Sequence, residues 1–168
     1  MANKTYLLKP SGKMNQGYSL VDENNNEVYN ANMIKFKLFS ASPFEFTNFT
    51  NGMKEEHTIG KTITLEESGP SGFFSTKSSF KYDGEKIWDY LHTKGIRISS
   101  NLSSGKIGMT YTISFEGKEI GTIKTSTPKG KSIITTNVFY DVTCDTKDLD
   151  LMFLVAFAIA KTDQVLYD

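Results

Sequence analysis

Disulfides are the first thing this chain does without. It holds one cysteine, Cys144, so no intramolecular bridge can form. Nor is there an excess charge of either sign, because nineteen Lys and Arg cancel nineteen Asp and Glu. Proteins dedicated to nucleic acid usually carry a basic surplus, which sets that class aside. Histidine is scarce too. His57 and His92 are the only two, and they do not share a metal-binding spacing such as His-x-x-x-His. No metal or other cofactor is expected. The first residues, Met-Ala-Asn-Lys-Thr-Tyr, lack the apolar stretch of a secretion signal. A lone thiol with no visible signal predicts a reducing, cytoplasmic setting. In that setting the sequons at Asn48-Phe49-Thr50 and Asn101-Leu102-Ser103 carry little meaning.

Also missing is an apolar run long enough for a bilayer, which takes about 20 residues. The longest candidate lies at Leu149–Ala160, and only Leu151–Ala160 is free of polar side chains. Extending it to Leu166 brings in Lys161, Asp163 and Gln164. A central Lys or Asp costs roughly 2.5 to 3.5 kcal/mol on insertion. No transmembrane segment is therefore expected.

What is present follows from that run. A surface helix is apolar on one stripe, whereas a helix apolar all round has to be enclosed. Leu151, Phe153, Leu154, Phe157 and Ile159 are its bulky candidates for a core helix. Four acids precede it, Asp141, Asp145, Asp148 and Asp150. They suit the positive end of a helix as caps and first-turn charges. A calcium loop would need a glycine turn and a distal Glu, which this segment lacks.

Most of the remaining sequence alternates with period two, the signature of half-buried strands. Such stretches are Thr5–Lys9, Tyr18–Val21, Glu27–Asn32, Ile34–Leu38, Phe44–Thr47, Thr58–Leu65, Ser75–Tyr82 and Ile96–Ser100. Ile107 to Phe115, Ile120–Thr125 and Ile134 to Cys144 complete the set. Asn-rich residues 22–26, Asn51-Gly52 and Glu116-Gly117-Lys118 supply turns. The period changes once. Asp83 is placed as a cap, Ile87, Trp88 and Leu91 share one helical face, and Gly95 sits at the C-cap. This predicts a short amphipathic helix over about residues 84–94, with Trp88 packed inward over one opening. A weak internal repeat relates Tyr18-Ser19-Leu20 with Glu27-Val28 to Tyr111-Thr112-Ile113 with Glu119-Ile120.

About twelve strands are too many for an open sheet that does not curl. A helix about 10 to 12 Å wide could fill the space inside a large barrel. The expected fold is mainly β, a single domain over residues 1–168. About twelve antiparallel strands close as a barrel around the hydrophobic C-terminal helix.

That architecture resembles the tubby C-terminal-like superfamily, in particular its LURP-one-related and bacterial tubby-like members. The resemblance rests on Tyr18-Ser19-Leu20-Val21-Asp22 with Glu27-Val28-Tyr29, and on Tyr111-Thr112-Ile113 with Lys118 to Ile123. It rests also on Val138–Asp145 leading into Leu149–Ala160. It implies a twelve-stranded barrel around a central helix. Tubby-type domains bind phosphoinositides through basic residues, and the related scramblases act on phospholipids. No basic motif here matches residue by residue, so no such site is carried over, and fold alone does not assign function.

Chemistry-bearing motifs are sparse. Thr125–Ser132 and Glu55–Thr62 end like phosphate loops, but each lacks the first glycine, and a strand follows Thr125–Ser132 where a helix is required. Cys144 lies on an apolar strand face, as a core residue would. No local signature pairs a nucleophile with a base, so an enzyme is not expected. Lys124, Lys129 and Lys131 cluster around one loop, and Lys35 and Lys37 share a strand face. Lysines near an anionic membrane add about 1 kcal/mol each, though the same residues also protect a sheet edge. The expected function is a non-enzymatic binding module, with anionic phospholipid headgroups as its candidate partner at Lys124, Lys129 and Lys131. The alternatives are a small-molecule carrier, against which the central helix argues because it would fill the space a ligand needs, and which a void of several hundred cubic ångströms would revive, and an enzyme, which needs a cleft with paired titratable groups.

Overall fold

Most of the alternating segments become strands, and nearly all of these pair antiparallel with a neighbour in the chain. In the computed structural model, which describes residues 3–12, 16–37, 41–70, 72–102, 109–126 and 139–167, they form one sheet. Its strands are β1 (Lys4–Ser11), β2 (Gly17–Val21), β3 (Glu27–Met33), β4 (Ser42–Asn48), β5 (Met53–Ser68) and β6 (Phe73–Tyr82). They continue with β7 (Glu85–Lys86), β8 (Ile96–Leu102), β9 (Met109–Phe115), β10 (Lys118–Ser126) and β11 (Phe139–Cys144). Two helices complete the fold, α1 (Ile87–Thr93) and α2 (Leu149–Tyr167).

The strand order is β7-β6-β5-β4-β3-β2-β1-β11-β10-β9-β8. It contains two four-stranded meanders, β1–β4 and β8–β11, joined where β1 pairs with β11 from Lys4↔Cys144 to Leu8↔Tyr140. The internal repeat is visible in their geometry. In one hairpin Leu20 pairs with Tyr29, Val21 pairs with Glu27, and the register shifts across Val28. In the other, Ile113 pairs with Gly121, Ser114 pairs with Glu119, and the shift falls across Ile120. Val28 and Ile120 are the equivalent residues of the repeat. A bulge bends its strand and increases the local twist, so both meanders curl at the same place. Leu20 and Ile113 are both fully buried.

The curled face packs against α2. From Met152 to Lys161 only Leu154 is not buried, and it is half-buried. Phe157 meets Tyr18, Phe44 and Phe46 edge-on, with centroids at 5.7, 5.6 and 5.2 Å. Phe153 stacks on Tyr29 at 4.6 Å. At Gly121 an added Cβ would lie 2.4 Å from the Thr143 carbonyl and 2.8 Å from Met152 Cε. Glycine therefore lets α2 seat closely on β10 and β11. Lys161 is buried at 4 % exposure. Its ammonium lies over the rings of Phe44, Tyr18 and Phe157 and donates to Gln16 Oε1 at 3.4 Å. Among the described residues, no helix is long and apolar enough to cross a membrane.

Several expectations are corrected. Among the described residues the sheet has eleven strands, and its end strands β7 and β8 are not hydrogen-bonded neighbours. Instead α1 contacts β6 and β7 at one end and β8 at the other. The expected helix over 84–94 shrinks to Ile87–Thr93, because Asp83 and Gly84 make a hairpin turn from β6 into β7. Both have positive φ, 49° and 85°, and Asp-Gly is among the strongest short hairpin signals. Ile87 and Leu91 are buried as expected, but Trp88, one residue round the helix from Ile87, is 38 % exposed. Gly95 does occupy the C-terminal position, with φ of 96° and its amide bonded to the His92 carbonyl. Ile34 and Phe36 are 53 % and 59 % exposed, past the end of the β3–β4 ladder at Met33, although the Ile34 amide still donates to the Pro43 carbonyl at 2.9 Å. The alternation there marks no strand. β1 runs past the expected end at Lys9 to Ser11, and its Pro10 pairs with Tyr18.

Candidate functional site

The residues that converge on a site come from the end of the sheet near the start of α2. Asn51-Gly52 turns β4 into β5, with Gly52 at φ 74° and its amide bonded to the Asn48 carbonyl at 2.8 Å. Strand periodicity then puts Glu55 and His57 on the same side of β5. The β6–β7 turn brings Asp83 to them. Asp83 Oδ1 accepts from the Thr58 amide at 2.7 Å, and Asp83 Oδ2 lies 2.8 Å from His57 Nδ1. That contact assigns the Nδ1 proton to the side facing Asp83. His57 Nε2 then meets the Tyr82 hydroxyl at 3.0 Å and Glu55 Oε2 at 3.3 Å. The imidazole is stacked on Tyr82 at 4.7 Å and edge-on to Phe46 at 5.0 Å.

A second network lies at the same end. The Tyr29 hydroxyl donates to Asp150, and Asn48 Nδ2 donates to both Tyr29 and Asp150 at 3.0 Å. Asn48 Oδ1 is held by the Thr50 amide at 2.9 Å. Asp150 is thus more than a charge for the helix end. It joins α2 to β3 and β4. Asp145 does cap, accepting from the Lys147 amide at 3.0 Å in the 3-10 turn before α2.

Between the two networks lies an open pocket of about 260 Å³. Rings of Phe46, Tyr82 and Tyr90 and the carboxylates of Glu55 and Asp150 line it, with Leu151 and Leu154 at its apolar wall. Leu151 and Leu154 are half-buried because they border this space, while Phe153, Phe157 and Ile159 are buried. Tyr82 and Tyr90 have centroids 4.7 Å apart, and Lys94 Nζ sits 4.9 Å from the Tyr90 centroid. Burial and then the Asp150 carboxylate push Tyr29 well above the ordinary phenol value. Burial, with nearby Tyr90, Asp83 and Glu55, does the same to Tyr82.

Burial alone would raise the Asp83 carboxyl, but the His57 and Thr58 hydrogen bonds outweigh it and hold it below the usual carboxylate range. A lowered folded value stabilises the fold above the ordinary Asp value, about 3.9. That contribution is lost as pH falls through the lowered folded value. Urea unfolding from about pH 6 to about pH 3 should therefore show a shallower acid-side loss of stability in Asp83→Asn than in the parent. Parallel profiles for the two proteins would contradict this role.

Of the lysine cluster, Lys124 lies among the described residues. Lys124 is exposed on β10 and faces Asp141 of β11 across the ladder, an opposite charge at the next strand. Lys129 and Lys131 lie outside the described residues. Lys35 and Lys37 are exposed beyond the end of β3. The Gly60-Lys61-Thr62 mimic runs in mid-strand within β5 and has no helix after it. Cys144 is buried, and burial with Asp148 and Asp145 nearby pushes its thiol up to about 12. It is a core residue rather than a nucleophile. Sequence reasoning missed His57, Glu55, Tyr82, Asp83 and Tyr90 as a group. The available signals were Glu55-x-His57 on one strand face and the Asp-Gly turn. No family model, no curated protein and no solved structure matches the chain.

Proposed function

We propose that the protein is a non-enzymatic binding module of the tubby-like kind whose ligand seat is the pocket beside the first turn of α2. One observation carries this reading. Aromatic faces and carboxylates converge on a cavity of about 260 Å³ at the start of the buried helix. A few polar groups on an apolar wall is the usual make-up of a small-molecule site. The size suits a small ligand, since drug-sized ones occupy about 300 Å³ or more. The expected obstacle to a carrier was that the helix fills the interior. The pocket lies at the helix end, so that objection does not apply to it.

The barrel of about twelve strands belongs to the same reading. It is supported by the burial of α2 among the sheet's aromatic side chains and by the contact of α1 with strands from both ends of the sheet. A cytoplasmic setting fits a single, buried thiol.

Titration of a panel of small polar and charged compounds into 15N-labelled protein tests the seat. Saturable shifts are expected at the amides of Glu55, Tyr82, Tyr90 and Leu151, and Leu151→Trp, which fills the space, should abolish them. Shifts confined to the neighbourhood of Lys124, or vesicle binding lost in Lys129→Glu plus Lys131→Glu, would move the site to the lysine loop and its anionic headgroups. A second reading has one observation in its favour. His57 with Asp83 at 2.8 Å is a base with an orienting carboxylate. Acid–base turnover would require a substrate to displace the Tyr82 hydroxyl from Nε2.

A further inference from the structure

Resting on the pocket as a ligand seat, the chemistry of its lining narrows what it takes. The aromatic residues Tyr29, Phe46, Tyr82, Tyr90 and Phe153 line it together with the carboxylates of Glu55 and Asp150. Aromatic faces are the negative regions of their rings and attract cations, the more so where water is partly excluded. The carboxylates add charge of the same sign, and a concave site concentrates that field. Two of its wall phenols already have partners: Tyr29 donates to Asp150, and the Tyr82 hydroxyl meets His57 Nε2. An anion entering here would find carboxylates and few free donors.

Two details favour a cation further. The Glu55 side chain is exposed on the pocket wall, so its carboxylate can meet a ligand. In addition, the pocket already binds an ammonium group. Lys94 Nζ rests 4.9 Å from the centre of the Tyr90 ring, on the pocket wall. Among the described residues lining the pocket it is the sole Lys or Arg, and it marks a position where an ammonium is stable.

We propose that the ligand is a small organic ammonium ion, with its alkyl body against Phe46, Tyr82 and Tyr90 and its charged nitrogen between Glu55 and Asp150. Nothing in the proposal involves bond making, so recognition rests on charge, ring faces and size alone.

Three probes of matched length separate the contributions: butylammonium, butanol and butyrate, each titrated at fixed pH and ionic strength into 15N-labelled protein. Butylammonium is expected to give saturable shifts at Glu55, Tyr82, Tyr90 and Lys94, and to bind about tenfold more tightly than butanol. Butyrate should bind least. Glu55 is exposed on the strand surface, so Glu55→Gln should keep the fold and weaken butylammonium by about tenfold. Lys94→Gln removes the resident competitor and should tighten it. Butanol or butyrate binding as tightly as butylammonium, an unchanged affinity in Glu55→Gln, or weaker binding in Lys94→Gln would each overturn the ammonium assignment and leave the seat standing. If none of the three probes gives a saturable shift, the seat itself falls.

Discussion

A chain ending at Asp148 is expected to show no cooperative thermal transition and to behave as an aggregating, partly collapsed polypeptide. The deletion removes α2, which contributes Leu149, Met152, Phe153, Val155, Phe157 and Ile159 to the core, all buried. Each such side chain stabilises by about 1.5 to 3 kcal/mol, so the six together match or exceed the whole stability of a domain, about 5 to 15 kcal/mol. The deletion also exposes what α2 covered. Leu20, Ile113, Ile123 and Val142 are fully buried in the intact protein. Tyr29 and Asn48 would lose Asp150, the acceptor that joins them to the helix. The strands alone would be a curled sheet with an apolar inner face and nothing to fill it. Calorimetry of the truncated chain tests this. A sharp, reversible transition would mean that the sheet folds without its helix.

Phe157→Ala is the largest single-residue effect expected. Phe157 is fully buried and touches three rings from two different strands, Tyr18 on β2 and Phe44 and Phe46 on β4. Those rings are anchored by the sheet ladder and cannot collapse into the space left behind. Phe-to-Ala changes in such sites cost about 3 to 5 kcal/mol. In a domain of this size each kcal/mol shifts the midpoint by about 2 to 4 °C, so the melting temperature should fall by at least about 6 °C. Phe157→Leu keeps most of the volume and should lose much less. Leu154→Ala, at a half-buried position bordering the pocket, should also cost less than Phe157→Ala. A fall in Phe157→Ala no larger than in Leu154→Ala would contradict the central placing of Phe157.

The strands were legible because their pattern is local. Alternation at period two needs only neighbours in sequence, and Asn51-Gly52 and Glu116-Gly117 announce their turns in the same way. The Asn-rich turn did so too, with Asn25 at φ 62° and Asp22 accepting from the amides of Asn24 and Asn26. Local reading failed where two local meanings competed. Asp83 is good chemistry for a helix cap and equally good for a hairpin turn, and pairing of β6 with β7 decided between them. Ile34-Lys35-Phe36-Lys37 has the strand pattern, yet the β3–β4 ladder stops at Met33, and isolated bonds from the Ile34 and Lys37 amides to Pro43 and Ser42 do not extend it.

The pocket was illegible for a stronger reason. Its walls come from β3, β4, β5, β6, α1 and α2, and one of its bonds, Tyr29 to Asp150, spans 121 residues of sequence. No window along the chain contains two of its networks at once. Each member has a bland local meaning: Asp150 as a first-turn acid, His57 as an isolated histidine, Tyr82 as the last residue of a strand.

By itself, then, the order of residues determined the classes of element: many antiparallel strands, a short helix, and an apolar helix that water cannot be allowed to surround. Those follow from periodicity and from the cost of hydrating ten successive apolar side chains. Tertiary structure alone decided which strands lie beside which, where the sheet bends, and which carboxylates share a space with which rings. Such arrangements depend on contacts between residues distant along the chain. Their energy exists only once the sheet has packed against α2.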